Sequence, residues 1–144
     1  MRIVDVHTHA FPDKLAARAI AHLQQAGHDQ PALNGTVADL LCSMDAAGVA
    51  VSVVCSIATR PEQFRSILDW SQQIASERIV PFPSIHPAHP DAAGQVTELA
   101  RAGFKGFKLH PYYQEFDIDE PRLFPLYEKA AEHGLVLLCH AGFD

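Results

Sequence analysis

The sequence predicts an α/β fold, a partial (β/α)8 TIM barrel of five strands with their intervening helices. Short β-branched or apolar runs alternate with longer segments of helical period, the pattern of βαβ units on a parallel sheet. Four of the five runs end in histidine, at His9, His86, His110 and His140, and the second ends at Ser56 and Thr59. An open doubly wound sheet satisfies the same alternation, but it concentrates its chemistry near one crevice, and no glycine-rich phosphate fingerprint follows the first run. A barrel instead converges its C-terminal strand ends on one site, so that chemistry-bearing residues recur at each end.

Taken in order, strands are expected at residues 2–9, 50–57, 79–86, 106–110 and 135–140, and helices at 12–25, 37–47, 61–77, 92–102 and 121–133. Thr36 is placed to cap the second helix and Asp91 the fourth, while Glu120-Pro121 opens the fifth. Gly48, Gly103 and Gly134 stand where left-handed helix stops are needed. Strand-to-strand spacings of about 25 to 50 residues leave room each time for a right-handed crossover helix. No linker or low-complexity tract interrupts the chain, so residues 1–144 read as one domain.

Composition narrows the function. With 48% hydrophobic and 19% charged residues over 144 positions, the chain can bury a real core. A formal net charge of −6 offers no field for a phosphate backbone, so nucleic acid is excluded as a partner. No apolar run approaches the roughly 20 residues that span a bilayer. Asp5 stands where a signal peptide would be apolar, so a cytoplasmic location is expected, with a small molecule as the partner. Cys42, Cys55 and Cys139 lie in apolar stretches without Cys-x-x-Cys spacing and read as reduced core thiols.

Nine histidines are the compositional anomaly. Along an extended strand side chains alternate, so Asp5, His7 and His9 share one face while Val4, Val6 and Thr8 share the other. His7-Thr8-His9 is thus a bidentate clip for a divalent ion, zinc foremost, because neutral imidazole suits zinc and a rigid strand needs little ordering. Taken alone, the pair is equally two solvated histidines at a strand end. In 106–110, Lys108 and His110 share one face, and Phe107 and Leu109 the other. His140 ends a very apolar strand, where a polar ring must find a hydrogen-bond partner or a metal. His86 is a candidate to face substrate. Tyr112, Tyr113 and Gln114, in the loop after His110, are candidate orienting groups. His22, His28 and His133 fall on helices or their ends and read as surface residues.

Val4-Asp5-Val6-His7-Thr8-His9 resembles the opening of the amidohydrolase superfamily, and residues 103–111 followed by 135–142 resemble its amidohydrolase 2 family. The resemblance covers most of the chain and is most specific at the first, fourth and fifth strands. It implies a metal-dependent hydrolase in which His7, His9 and the fifth-strand His140 bind the ion; Asp5 reads either as a hydrogen-bond partner behind a ligand histidine or as a salt-bridged core acid. The ion then activates water to cleave an amide, ester or lactone bond. Lys108 and His110 are the candidate catalytic residues, and His86, Tyr112 and Gln114 the substrate contacts. For Lys108 three roles stay open: a carbamylated bridge between two ions, as in dihydroorotases; contact with a substrate carboxylate or a pairing behind the ligands; or a structural role. Some members of the family perform nonoxidative decarboxylation instead, and a noncatalytic binding module is a third alternative. A barrel of this kind needs about 250 residues. The chain is therefore expected to be an N-terminal fragment, incomplete for catalysis and inclined to form a homo-oligomer through the open edges of its first and fifth strands. Asp144 follows the fifth strand directly and does not correspond to the eighth-strand aspartate of the superfamily.

Overall fold

A computed structural model describes residues 2–26 and 31–141; His28, Gly142 and Asp144 lie outside them. The strands are β1 (Ile3–Thr8), β2 (Val49–Cys55), β3 (Ile79–Phe82), β4 (Gly106–Leu109) and β5 (Val136–Cys139). The helices are α1 (Asp13–Ala26), α2 (Val37–Ala47), α3 (Phe64–Ile74), α4 (Ala92–Arg101), the single-turn α5 (Pro111–Gln114) and α6 (Phe124–Glu132). The chain forms two compact units, Met1–Val54 with Ile74–Val80, and Cys55–Gln73 with Pro81–Asp144.

In the first unit β1 and β2 pair in parallel, in a sheet of order β1-β2-β3. The pairing is irregular: from Asp5 to Thr8 the chain advances three residues while β2 advances two, from Ser52 to Val54. One extra residue therefore bulges from β1 next to His7, a device that re-aims side chains near strand ends. Thr8 Oγ1 donates to the Val53 carbonyl at 2.8 Å and pins the end of the strand beyond the bulge. Burial along β1 does not alternate, since Val4 is 48% and Val6 61% exposed; only Thr8 is partly covered. α2 has the expected bounds, with Thr36 Oγ1 accepting from Asp39 N at 3.2 Å and Gly48 ending it at φ 69°. Arg78 ties the sheet to that helix end, donating to Asp45 Oδ1 at 2.5 Å and to the Val49 carbonyl at 3.0 Å.

In the second unit an apolar core unites Phe64 and Leu68 of α3, Ile85, Val96 and Leu99 of α4, Phe104, Phe107 and Leu109 of β4, Phe116, Leu123, and Leu126 and Ala130 of α6. β4 and β5 run parallel in register, Gly106 opposite Val136 through Leu109 opposite Cys139. Only glycine fits at 106, because a Cβ there would press on the Val136 carbonyl oxygen and on the Phe82 ring. Asp91 caps α4, its Oδ1 accepting from Gly94 N at 3.1 Å.

Three expected boundaries shift. The helix expected over 61–77 begins as a 3₁₀ turn at Pro61–Gln63, and it stops at Ile74 as Ser76 Oγ accepts from Ile79 N at 3.1 Å. The helix expected from 121 likewise opens with a 3₁₀ turn, Pro121–Leu123. β3 ends at Phe82 rather than at His86. Pro83 and Ser84 nevertheless stay on the sheet: Lys108 N donates to the Pro83 carbonyl at 2.8 Å, and Ser84 Oγ donates to the Lys108 carbonyl at 2.9 Å.

Candidate active site

The first unit carries Asp5, His7 and His9. Asp5 Oδ1 accepts from the backbone N of His7 at 3.1 Å, so the contact seen for this acid is with the histidine's main chain. Beyond the bulge, the His7 and His9 rings meet edge to face with centroids 5.0 Å apart, and their Nε2 atoms stand 3.1 Å apart in an exposed position. Two imidazoles bound to one zinc, each at about 2.0–2.1 Å, have nitrogens about 2.9 Å apart at a right angle and about 3.3 Å apart at the tetrahedral angle. The two rings share a hydrogen bond at this distance, and the spacing falls between these values, so the pair could hold a divalent ion in place of the shared proton. Among the described residues, no group of three or more His, Cys, Asp or Glu side chains is gathered to hold one.

The second unit carries the other expected residues. Phe107 and Leu109 enter the apolar core, which leaves Lys108 and His110 on the opposite face of β4, as strand alternation requires. Lys108 is nonetheless fully buried. A lysine is almost never fully buried unless its charge is paired. Burial pushes the Cys139 thiol up, and the positive charge of Lys108 opposes that shift.

His110, directly after β4, is buried and caps α5: its Nδ1 accepts from Tyr113 N at 3.4 Å. Its ring stacks on that of His140, with centroids 4.0 Å apart and planes 11° apart, and lies against Tyr113 at 4.4 Å. His140, directly after β5, is placed by its backbone N donating to the Leu109 carbonyl at 3.1 Å. The two strand-end histidines are thus brought together.

His86 lies four residues beyond β3, 8% exposed, with Nδ1 accepting from Ala88 N at 3.1 Å. Burial holds its pKa below the ordinary 6.5; Arg122 adds to the shift, while Glu62 and Glu115 oppose it. Tyr112 is exposed and meets Tyr113 edge to face at 5.4 Å.

Gln114, expected as a substrate contact, turns its amide into the chain. It is 3% exposed. Its Oε1 accepts from His110 N at 2.8 Å, and its Nε2 donates to the carbonyls of Ala58 at 2.8 Å and Ile85 at 2.9 Å, with Ser84 Oγ at 3.3 Å. The turn that carries it, α5, was not expected from the sequence. Its signal is local: a side-chain acceptor at His110 followed by proline at the first helical position. α5 ends at Glu115, a non-glycine residue at φ 52°, a conformation costing roughly 1–2 kcal/mol.

A family model described as amidohydrolase, Amidohydro_2, matches residues 4–144. The chain belongs to the amidohydrolase 2 family. Its fold is the α/β fold of that family's (β/α)8 barrels, in part. Among solved structures it is similar to the IDCase of Metarhizium anisopliae (TM-score 0.72, 18% identity, covering 96% of this chain and 50% of that one). It is also similar to the 5-carboxyvanillate decarboxylase of Novosphingobium aromaticivorans, solved with manganese and a nitrobenzoic acid (0.66, 16%, 96% and 50%). A third is a probable 2-pyrone-4,6-dicarboxylic acid hydrolase of Acinetobacter baumannii with citric acid bound (0.63, 14%, 98% and 50%). The amidohydrolase 2 chain spans about half the length of these structures. No curated protein matches its sequence. No helix among its described residues is long and apolar enough to cross a membrane.

Proposed function

We propose that this chain supplies metal-binding and substrate-facing residues of a metal-dependent hydrolase that cleaves an amide, ester or lactone bond in a small molecule. The observation that carries the reading is the convergence of His7 Nε2 and His9 Nε2 at 3.1 Å on an exposed strand end, a spacing suited to one divalent ion. His140, at the end of β5, is the further ligand that the family resemblance implies. Bound by such ligands, zinc or a similar ion supplies Lewis acidity, polarising a carbonyl and lowering the pKa of water. The chain's own residues would do the rest. His110, directly after β4, and His86, in the segment beyond β3, would supply imidazoles to orient the substrate, and Tyr112 an exposed aromatic side chain.

A second reading, nonoxidative decarboxylation, draws on the lysine that β4 carries on the face opposite the apolar core, a residue type that pairs with carboxylates. The 5-carboxyvanillate decarboxylase among the similar structures belongs to the same fold.

The test has two arms. Zinc and manganese are titrated calorimetrically into this chain and into its His7→Ala and His9→Ala variants. Structural zinc sites bind with about 10–16 kcal/mol shared over four ligands, so each loss should weaken binding at least about tenfold. Unchanged affinity in both variants would defeat the reading. Lactone and aromatic carboxylate panels are then offered to the full-length protein. Chelator-sensitive lactone or ester hydrolysis supports the first reading, and release of carbon dioxide replaces it with the second.

A further inference from the structure

We propose that Gln114 is a positioning residue that sets His86 and His110 in place for the reaction, a role that rests on the active-site reading above. One buried amide reaches the segments that follow three strands. Its Nε2 meets the Ala58 carbonyl after β2 and the Ile85 carbonyl after β3, and its Oε1 meets His110 N after β4. The orientation of the amide is fixed by this arrangement, since two carbonyl oxygens demand the nitrogen and an N–H demands the oxygen. Both amide hydrogens are consumed on backbone carbonyls, so the group is committed to holding the scaffold.

The consequence reaches both histidines. Ile85 O is the carbonyl immediately before His86, and the His110 N–H belongs to the residue whose ring stacks on His140. Ser84 strengthens the link. Its hydroxyl lies 3.3 Å from Gln114 Nε2 while donating to the Lys108 carbonyl, so the clamp continues to the residue two positions before His110. Gln114 can reach all of these only because α5 is a single turn, closed at Glu115 by a left-handed residue. Backbone strain retained at that point marks a geometry the surrounding structure insists on.

Two substitutions separate the halves of the clamp. Gln114→Glu keeps an oxygen for His110 N but faces the Ala58 and Ile85 carbonyls with a second oxygen. Gln114→Met removes donor and acceptor at nearly constant volume. Leu99→Ala, in the core of the same unit, is the control for instability alone. Amide hydrogen exchange and the imidazole proton resonances are followed by NMR in this chain. In Gln114→Met the His110 amide should exchange about tenfold faster, reporting one lost hydrogen bond. The His140 ring protons should leave the shifts set by stacking on His110. Gln114→Glu should retain the slow His110 amide while the His86 segment loosens. Unchanged His110 exchange and His140 shifts in Gln114→Met would overturn the proposal, as would equal changes in Leu99→Ala. In the full-length protein, Gln114→Met should lower kcat while leaving metal affinity within about threefold. Absence of any turnover in the unsubstituted full-length protein would instead refute the active-site reading, and the NMR result would still decide whether Gln114 holds the histidines.

Discussion

Replacing Gly106 by alanine tests how tightly β4 is held between its neighbours. A Cβ at this position would sit 2.5 Å from Cε2 and Cζ of Phe82, and it would also press on the Val136 carbonyl oxygen. Carbon atoms in contact rest at about 3.5–4.0 Å, so roughly 1 Å of retreat is needed. The strand cannot easily provide it. Gly106 is paired with Val136, whose N–H donates to the Lys105 carbonyl at 2.9 Å, and Phe82 is itself buried. Overpacking costs about 1–3 kcal/mol, and a weakened ladder hydrogen bond adds about 0.5–1.5 kcal/mol. Alanine's lower backbone entropy in the unfolded chain returns about 0.5–1 kcal/mol. The net expectation is a loss of about 0.5–4 kcal/mol, against the roughly 5–15 kcal/mol typical of a domain. Urea melts of the parent and the variant, compared at equal m-values, measure it. Gly48→Ala is the companion variant, since nothing lies within 4 Å of its Cβ position and only the φ of 69° resists substitution. Its cost should be about 1 kcal/mol. A Gly106→Ala protein as stable as the parent would refute the packing argument.

Acid should act partly through His86. Its folded pKa is depressed below 6.5, so on acidification the unfolded chain takes up this proton first, and stability falls as the pH drops through 6.5 toward the folded value. His86→Asn should flatten that part of the profile, and melts at pH 7.5 and pH 5 giving parallel losses in both proteins would contradict it. The thiols should separate by exposure: Cys42, which is exposed, should take up maleimide first, and buried Cys55 last. Cys139, half-buried with its thiol pushed up, should label well after Cys42, and mass spectrometry of timed samples finding the two labelled together would count against the placement of β5.

Much of the fold is legible because its signals are local. Thr36 and Asp91 cap the helices that their spacing suggests, and Gly48, Gly103 and Gly134 take up left-handed conformations at the helix ends. Alternation along β4 correctly separates Phe107 and Leu109, in the core, from Lys108 on the other face. The histidines after β1, β4 and β5 each fall one residue beyond the strand, because the apolar run ends where the polar ring begins.

The sequence by itself determined the order of the strands, the helix caps, the place of His7 and His9 at the end of β1 and the family, since each is written in neighbouring residues through periodicity, turn chemistry or motif. Tertiary structure alone decided what distant residues do to one another. The β1 bulge beside His7 appears only in the register with β2, and the stacking of His110 on His140 only when β4 pairs with β5. Gln114 is the clearest instance. A polar residue in a loop after a strand-end histidine reads as a ligand contact, because solvent and substrate are the partners a sequence can suggest. Its actual partners, the carbonyls of Ala58 and Ile85, are 56 and 29 residues away, and only folding brings them within reach of a single amide.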